Sequence, residues 1–188
     1  MRILVDLDEV LVDFIGGACR AWGVEPSLVR KHWPIGEWDI VPPLAVALNR
    51  PEPMSQSEFW EQLEGKEEFW TGLRAHSWLG ELLALVSMTT DDWFIVSSPS
   101  LCPSSHSGKV RWLKDFFGRK FTRFILTNHK EILAGSQVIL IDDSDRNIEK
   151  FVDNGGRGII FPAHHNTKYA FANDPLHYVK EQLRCILK

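Results

Sequence analysis

Apolar residues in this chain come in short blocks whose length suits strands. Arg2-Ile3-Leu4-Val5, Trp93 to Val96, Phe124-Ile125-Leu126, Val138 to Ile141 and Gly158 to Phe161 are nearly continuous apolar runs. Runs of that kind fit strands covered by helices on both faces. Between them lie segments of helical period. Val10 to Trp22 is weakened by Gly16 and Gly17 and ended by Gly23, Trp78 to Met88 is amphipathic, and Gly108 to Phe117 is closed by Gly118. Ser144 is placed to cap a helix closed by Gly155 and Gly156. Asp174-Pro175 opens a last one, with Leu176, Val179, Leu183 and Leu187 as its apolar stripe. This alternation predicts an α/β fold with a parallel, doubly wound sheet.

One stretch breaks the alternation. From Val24 to about Ala75 the chain is interrupted by Pro26, Pro34, Pro42, Pro43, Pro51 and Pro53 and loaded with Trp33, Trp38, Trp60 and Trp70. Ser55-Gln56-Ser57-Glu58 reads as a capping box that opens a short helix with Phe59, Trp60 and Leu63 on one side. The expected organisation is a core from residues 1–14 and 76–188 with a small helical cap, 15–75, inserted after the first strand.

Composition narrows the class. A chain of 188 residues, 44% hydrophobic, can bury a core large enough for one domain plus an insertion. A net charge of -4 offers no basic face to a polyanion, so long nucleic acid is not an expected partner, while a locally neutralised phosphate site remains open. Cys19, Cys102 and Cys185 are scattered and odd in number, which favours a reducing, cytoplasmic setting over a disulfide framework. No apolar run approaches the roughly 20 residues of a membrane span, and Asp6 and Asp8 interrupt any signal-peptide pattern. A soluble, unprocessed protein without a membrane partner is expected.

The strand ends carry the chemistry. The predicted strands deliver Asp6 and Asp8, then Ser97 and Ser98, then Lys130, then Asp142 and Asp143. In open α/β sheets ligands bind beyond the carboxyl ends of the strands. Two carboxylate clusters from different strands would repel unless a hard cation lay between them, and Mg²⁺ takes few carboxylates together with water and phosphate oxygens. Serine hydroxyls and a lysine ammonium suit the equatorial oxygens of a transferring phosphoryl group. The chain has no Gly-rich phosphate loop and no GxGxxG, so the nucleophile is expected to be a side chain.

DLDEVLVDF, VSSPS, Lys130 and ILIDDSD resemble, in order, the four motifs of the haloacid dehalogenase superfamily of phosphatases. The insertion after the first motif, the pair Asp13-Phe14, the SSP triplet and the IDD ending most resemble the 5'(3')-deoxyribonucleotidases. The resemblance implies a three-layer, Rossmann-like core and a phosphomonoesterase of (deoxy)ribonucleoside 5'- or 3'-monophosphates. It implies Asp6 as nucleophile, Asp8 as general acid and base, and Ser97 and Lys130 on the phosphoryl oxygens. It further implies Mg²⁺ held by Asp6, the backbone carbonyl of Asp8, and Asp143, with Asp142 in support. Phe14, Trp38, Ser97, Ser98 and Lys130 would bind substrate. A homodimer is compatible with all of this. Glu9 departs from the pattern, since the family usually has a small residue there, most often glycine.

Other readings stand beside these. The chain is also compatible with a phosphatase of another small phosphate ester, or with a nucleotide- or phosphate-binding module that has lost catalysis. Trp60, in helical spacing with Phe59 and Leu63, reads first as insertion core and second as a base-stacking platform. Lys109 reads as a solvated helix residue, and as the replacement for Lys130 should that lysine prove dispensable, Ser104, Ser105 and Ser107 read as helix caps, and the histidines as surface or loop residues. Among these, His164-His165-Asn166 lies close enough to a strand end to approach the crevice.

Overall fold

The computed structural model describes residues 1–188. Five parallel strands form one sheet: β1 (Arg2–Asp6), β2 (Trp93–Ser97), β3 (Phe124–Leu126), β4 (Val138–Asp142) and β5 (Arg157–Ile160), in the order β3-β2-β1-β4-β5. The most apolar runs occupy the middle because a central parallel strand is covered on both faces. Ile3, Leu4 and Val5 are fully buried. Ile3 and Val5 point to one face, where they pack with residues of α6 (Leu79–Thr89), α7 (Pro103–Phe117) and α9 (Pro175–Ile186). Leu4 points to the other, against Ile148 and Phe151 of α8 (Asp145–Asp153). Winding reverses between β1 and β4, so the crevice where ligands bind opens beside the end of β1.

Between β1 and α6 the chain forms α1 (Phe14–Ala21), α2 (Pro26–His32), α3 (Val41–Ala47), α4 (Gln56–Glu61) and α5 (Glu67–Thr71). The Ser55–Glu58 capping box is formed, with each side chain on the other residue's backbone. Ala18, Val29, Leu44, Phe59 and Leu63 belong to a second hydrophobic cluster separate from the sheet's. α5 is the seam between the two, lying on α7, where Gly108 lets Trp70 approach.

Two helix starts differ from the expectation. α1 begins at Phe14 rather than Val10, because Leu11 and Val12 both donate to the carbonyl of Leu7 in a turn, and Asp13 then caps Gly16 N at 2.8 Å. A side chain at position 16 would collide with that aspartate, which explains the glycine. α7 begins at Pro103, five positions before the Gly108 that was expected, with proline at its first turn. Ser104, Ser105 and Ser107 are therefore inside the helix and do not cap it; Ser105 Oγ instead accepts from Ser100 N at 2.8 Å. No helix is long and apolar enough to cross a membrane.

Candidate active site

β1 ends at Asp6, and the turn that follows places Asp8 beside it. The turn demands a left-handed residue at position 9, where Glu9 has φ 57°. Only glycine adopts that region without strain. Glu9 holds it with two bonds: its N–H donates to Val12 O at 2.8 Å and its Oε1 accepts from Ile15 N at 2.6 Å. Burial raises the Glu9 carboxyl well above the usual range, against the pull of the Ile15 N–H.

Lys130 starts a short 3₁₀ helix, Lys130–Leu133, just beyond β3 and is buried. Its ammonium donates to Asp6 Oδ1 and Asp142 Oδ2, both at 2.6 Å. Burial alone would lower the lysine's pKa, but the Asp142 and Asp6 carboxylates outweigh it and hold the ammonium protonated. Asp142 also accepts from Ser144 N at 2.9 Å and from Asn147 Nδ2, so its oxygens are committed to protein donors.

Lys109 is not a solvated helix residue. It is 1% exposed. Its Nζ donates to Asp8 Oδ2, to Ser97 Oγ at 2.8 Å and to the carbonyl of Ser98 at 3.2 Å, and it lies 5.2 Å from the centroid of the Trp70 ring. Once α7 starts at Pro103, Ser105, Gly108, Lys109, Trp112 and Leu113 fall on one buried stripe. That i, i+3, i+4, i+7 spacing was readable in the chain, and a lysine on it needs a buried acid. Asp8 Oδ1, by contrast, is buried without a hydrogen-bond partner.

Asp6, Asp8, Lys130 and Asp143 line a cavity of about 520 Å³ that is bordered by residues of both the sheet ends and the helical insertion. Phe14, Trp38, Trp60 and Trp70 stand on its wall, with Phe14 stacked on Trp70 at 5.9 Å and tilted against Trp60 at 6.0 Å. Trp38 is 57% exposed. Ser98 lines the cavity, and its Oγ donates to Thr127 O, while Ser97 lies beneath, fully buried. His165, in the loop after β5, reaches the crevice as its place in the chain suggests. Its ring is buried and meets Asp143 Oδ2 at 2.7 Å, which assigns the proton to Nε2, because a carboxylate only accepts. His-His-Asn directly after a strand was the available signal.

The acids fit a divalent cation. Ligand oxygens of Asp6, Asp142 and Asp143 lie within 4.8 Å of one another. Asp6 keeps Oδ2 and Asp143 keeps Oδ1 outside the hydrogen bonds made by Lys130 and His165. Burial pushes the Asp6 carboxyl well up despite Lys130, and burial also raises Asp143 despite His165. Three carboxylates thus gather around the ammonium of Lys130, and oxygen-only donors suit a hard ion.

A parallel sheet in this order, with an acid pair at the end of its central strand and another on the strand beside it, is the arrangement expected of a haloacid dehalogenase-type fold. A haloacid dehalogenase family hydrolase from Deinococcus radiodurans R1, described with bound phosphate and sodium, has a TM-score of 0.56 at 15% identity, covering 92% of this chain and 86% of that one. A hydrolase from Streptococcus pneumoniae TIGR4 gives 0.55 at 16% identity, covering 90% and 97%. At such identities the likeness establishes the fold. No curated protein sequence matches the chain. The family model described as "5' nucleotidase, deoxy (Pyrimidine), cytosolic type C protein" matches residues 1–173, and the chain belongs to that family. It is a haloacid dehalogenase-type phosphatase of the nucleotidase kind.

Proposed function

We propose that this protein is a Mg²⁺-dependent phosphomonoesterase of deoxyribonucleoside 5'- or 3'-monophosphates, working through a phosphoaspartate on Asp6. The observation that carries the reading is the pair Asp6 and Asp8, each gripped by its own buried lysine at the floor of an aromatic-walled cavity. Lys130 fixes the Asp6 carboxylate through Oδ1, and that carboxylate attacks phosphorus. As the phosphorus–oxygen ester bond breaks, Asp8, held through Oδ2 by Lys109, protonates the leaving oxygen with its unpartnered Oδ1. Asp8 then takes a proton from the water that attacks the aspartyl phosphate, which releases inorganic phosphate and restores Asp6. Ser97 and Lys130 hold phosphoryl oxygens, and Ser98 borders the entry.

Mg²⁺ would be held by Asp6, Asp143 and the backbone carbonyl of Asp8, and when bound it would neutralise charge on the phosphoryl oxygens. The insertion acts as a cap, residues 15–75, whose Phe14-facing wall and Trp38 receive a flat base. The family description supports a deoxynucleotide. A phosphate-release screen over deoxy- and ribonucleotides, sugar phosphates and aryl phosphates tests the substrate class. Nucleotide turnover should fall selectively in Phe14→Ala and Trp38→Ala. Sugar phosphates turned over best, with the ranking unmoved by those variants, would contradict it.

A further inference from the structure

The cap and the proposed ion ligand Asp143 are joined by an unbroken series of contacts that the reaction above does not use. The loop after β5 is pinned from below by Asn166, whose Nδ2 donates to Asp143 O and Phe161 O, both at 2.8 Å. From above it is stitched to the cap segment Trp33–Trp38. His164 Nε2 donates to Trp33 O at 3.0 Å, and Gly36 N donates to His164 O at 2.9 Å. Between these fastenings sits His165. One ring face lies parallel to Trp33, with centroids 5.7 Å apart and planes 16° apart, and Trp38 meets it edge-on at 4.9 Å. The same imidazole donates to Asp143 Oδ2 and leaves Oδ1 for an ion.

We propose that His165 is a positioning residue that couples the Trp33–Trp38 segment of the cap to the metal site through Asp143. The proposal rests on Asp143 being a ligand of the divalent ion. A histidine bonded to a liganding carboxylate fixes which oxygen faces the ion, and removing such a partner typically weakens metal binding about 10–100-fold. Here the histidine is itself oriented by two indoles from the cap. By linkage, whatever the ordered cap contributes to metal affinity, the bound metal must return as order in the cap.

The test uses Mn²⁺ alone, with no substrate, on the full chain. Mn²⁺ affinity is read by paramagnetic resonance of the free ion, and hydrogen exchange of the peptide spanning 33–39 is followed by mass spectrometry. In the wild type, Mn²⁺ should slow exchange in that peptide. His165→Ala should bind Mn²⁺ about tenfold or more weakly and lose the protection, and His165→Gln, which restores an N–H donor, should recover part of the affinity. If His165→Ala does not fold, Trp38→Ala decides: it touches no proposed ligand, and weaker Mn²⁺ binding is expected. Equal affinity in His165→Ala, or in Trp38→Ala where the former does not fold, overturns the coupling while leaving the metal site standing. So does exchange of 33–39 that ignores Mn²⁺ in the wild type. A wild type that binds no Mn²⁺ overturns both.

Discussion

Lys109 and Lys130 hold the neighbouring acids Asp8 and Asp6, yet the burial of the two pairs differs in kind. Lys130 faces two carboxylates whose side chains are 7% and 0% exposed, whereas the Asp8 side chain opposite Lys109 retains 25%. Breaking a buried ion pair by removing one partner costs about 3–5 kcal/mol, because the orphaned charge stays buried. Lys130→Met should therefore lower stability by about that much, read from denaturant unfolding, while Lys109→Met costs clearly less. Both should lose phosphatase turnover by about 100-fold or more, the scale seen when one donor to a developing charge is removed. Equal stability in the two variants, or full turnover in Lys109→Met, would contradict the division. At this scale the sequence was legible for where Asp6, Asp8, Ser98, Lys130 and Asp143 sit, around one cavity, since strand ends advertise themselves by where an apolar run stops. The approach of His165 to the crevice was legible from its place after a strand, but its bond to Asp143 was not, and Lys109 was misread because its partner Asp8 lies far along the chain even though its helical spacing marks a buried stripe.

The seam between α5 and α7 sets how the helical insertion meets the sheet and its helices. A Cβ on Gly108 would lie 2.4 Å from Trp70 Cβ and 3.2 Å from Glu67 O, too close for either helix to keep its place. Neither obstacle is the end of a flexible side chain, so overpacking of this sort costs typically 1–3 kcal/mol. Gly108→Ala should destabilise by about that amount. Because Lys109 is the next residue and Trp70 lies beneath its ammonium, the variant should also reduce turnover at temperatures where it remains folded. Unfolding and activity measured side by side check this, and an unchanged midpoint would mean the helices are not seated as described. The element boundaries show where sequence reading stops. The capping box at Ser55 was legible because both partners are local, and it forms. The starts of α1 and α7 were misplaced because a proline at the first helical turn and a turn closed on the Leu7 carbonyl both override apolar periodicity.

Across the whole molecule, the doubly wound sheet was legible because five apolar runs separated by helical segments leave few parallel topologies. The path of the insertion was not, because short proline-broken helices take their arrangement from tertiary packing rather than from their own pattern. The assembled molecule places Asp6, the proposed nucleophile, at the end of the central strand, with Asp8 two residues on and its Oδ1 without a hydrogen-bond partner. The most direct test is acid quench of Mg²⁺-loaded protein mixed with a radiolabelled aryl phosphate, followed by peptide mapping of any protein-bound label. An aryl leaving group departs without a proton, while hydrolysis of the intermediate still needs a base. Asp8→Asn should therefore accumulate label on the peptide containing Asp6, the wild type should turn over with little accumulation, and Asp6→Asn should carry none. Phosphate released by the wild type with no label trapped in Asp8→Asn, or label mapped to a residue other than Asp6, would contradict the account.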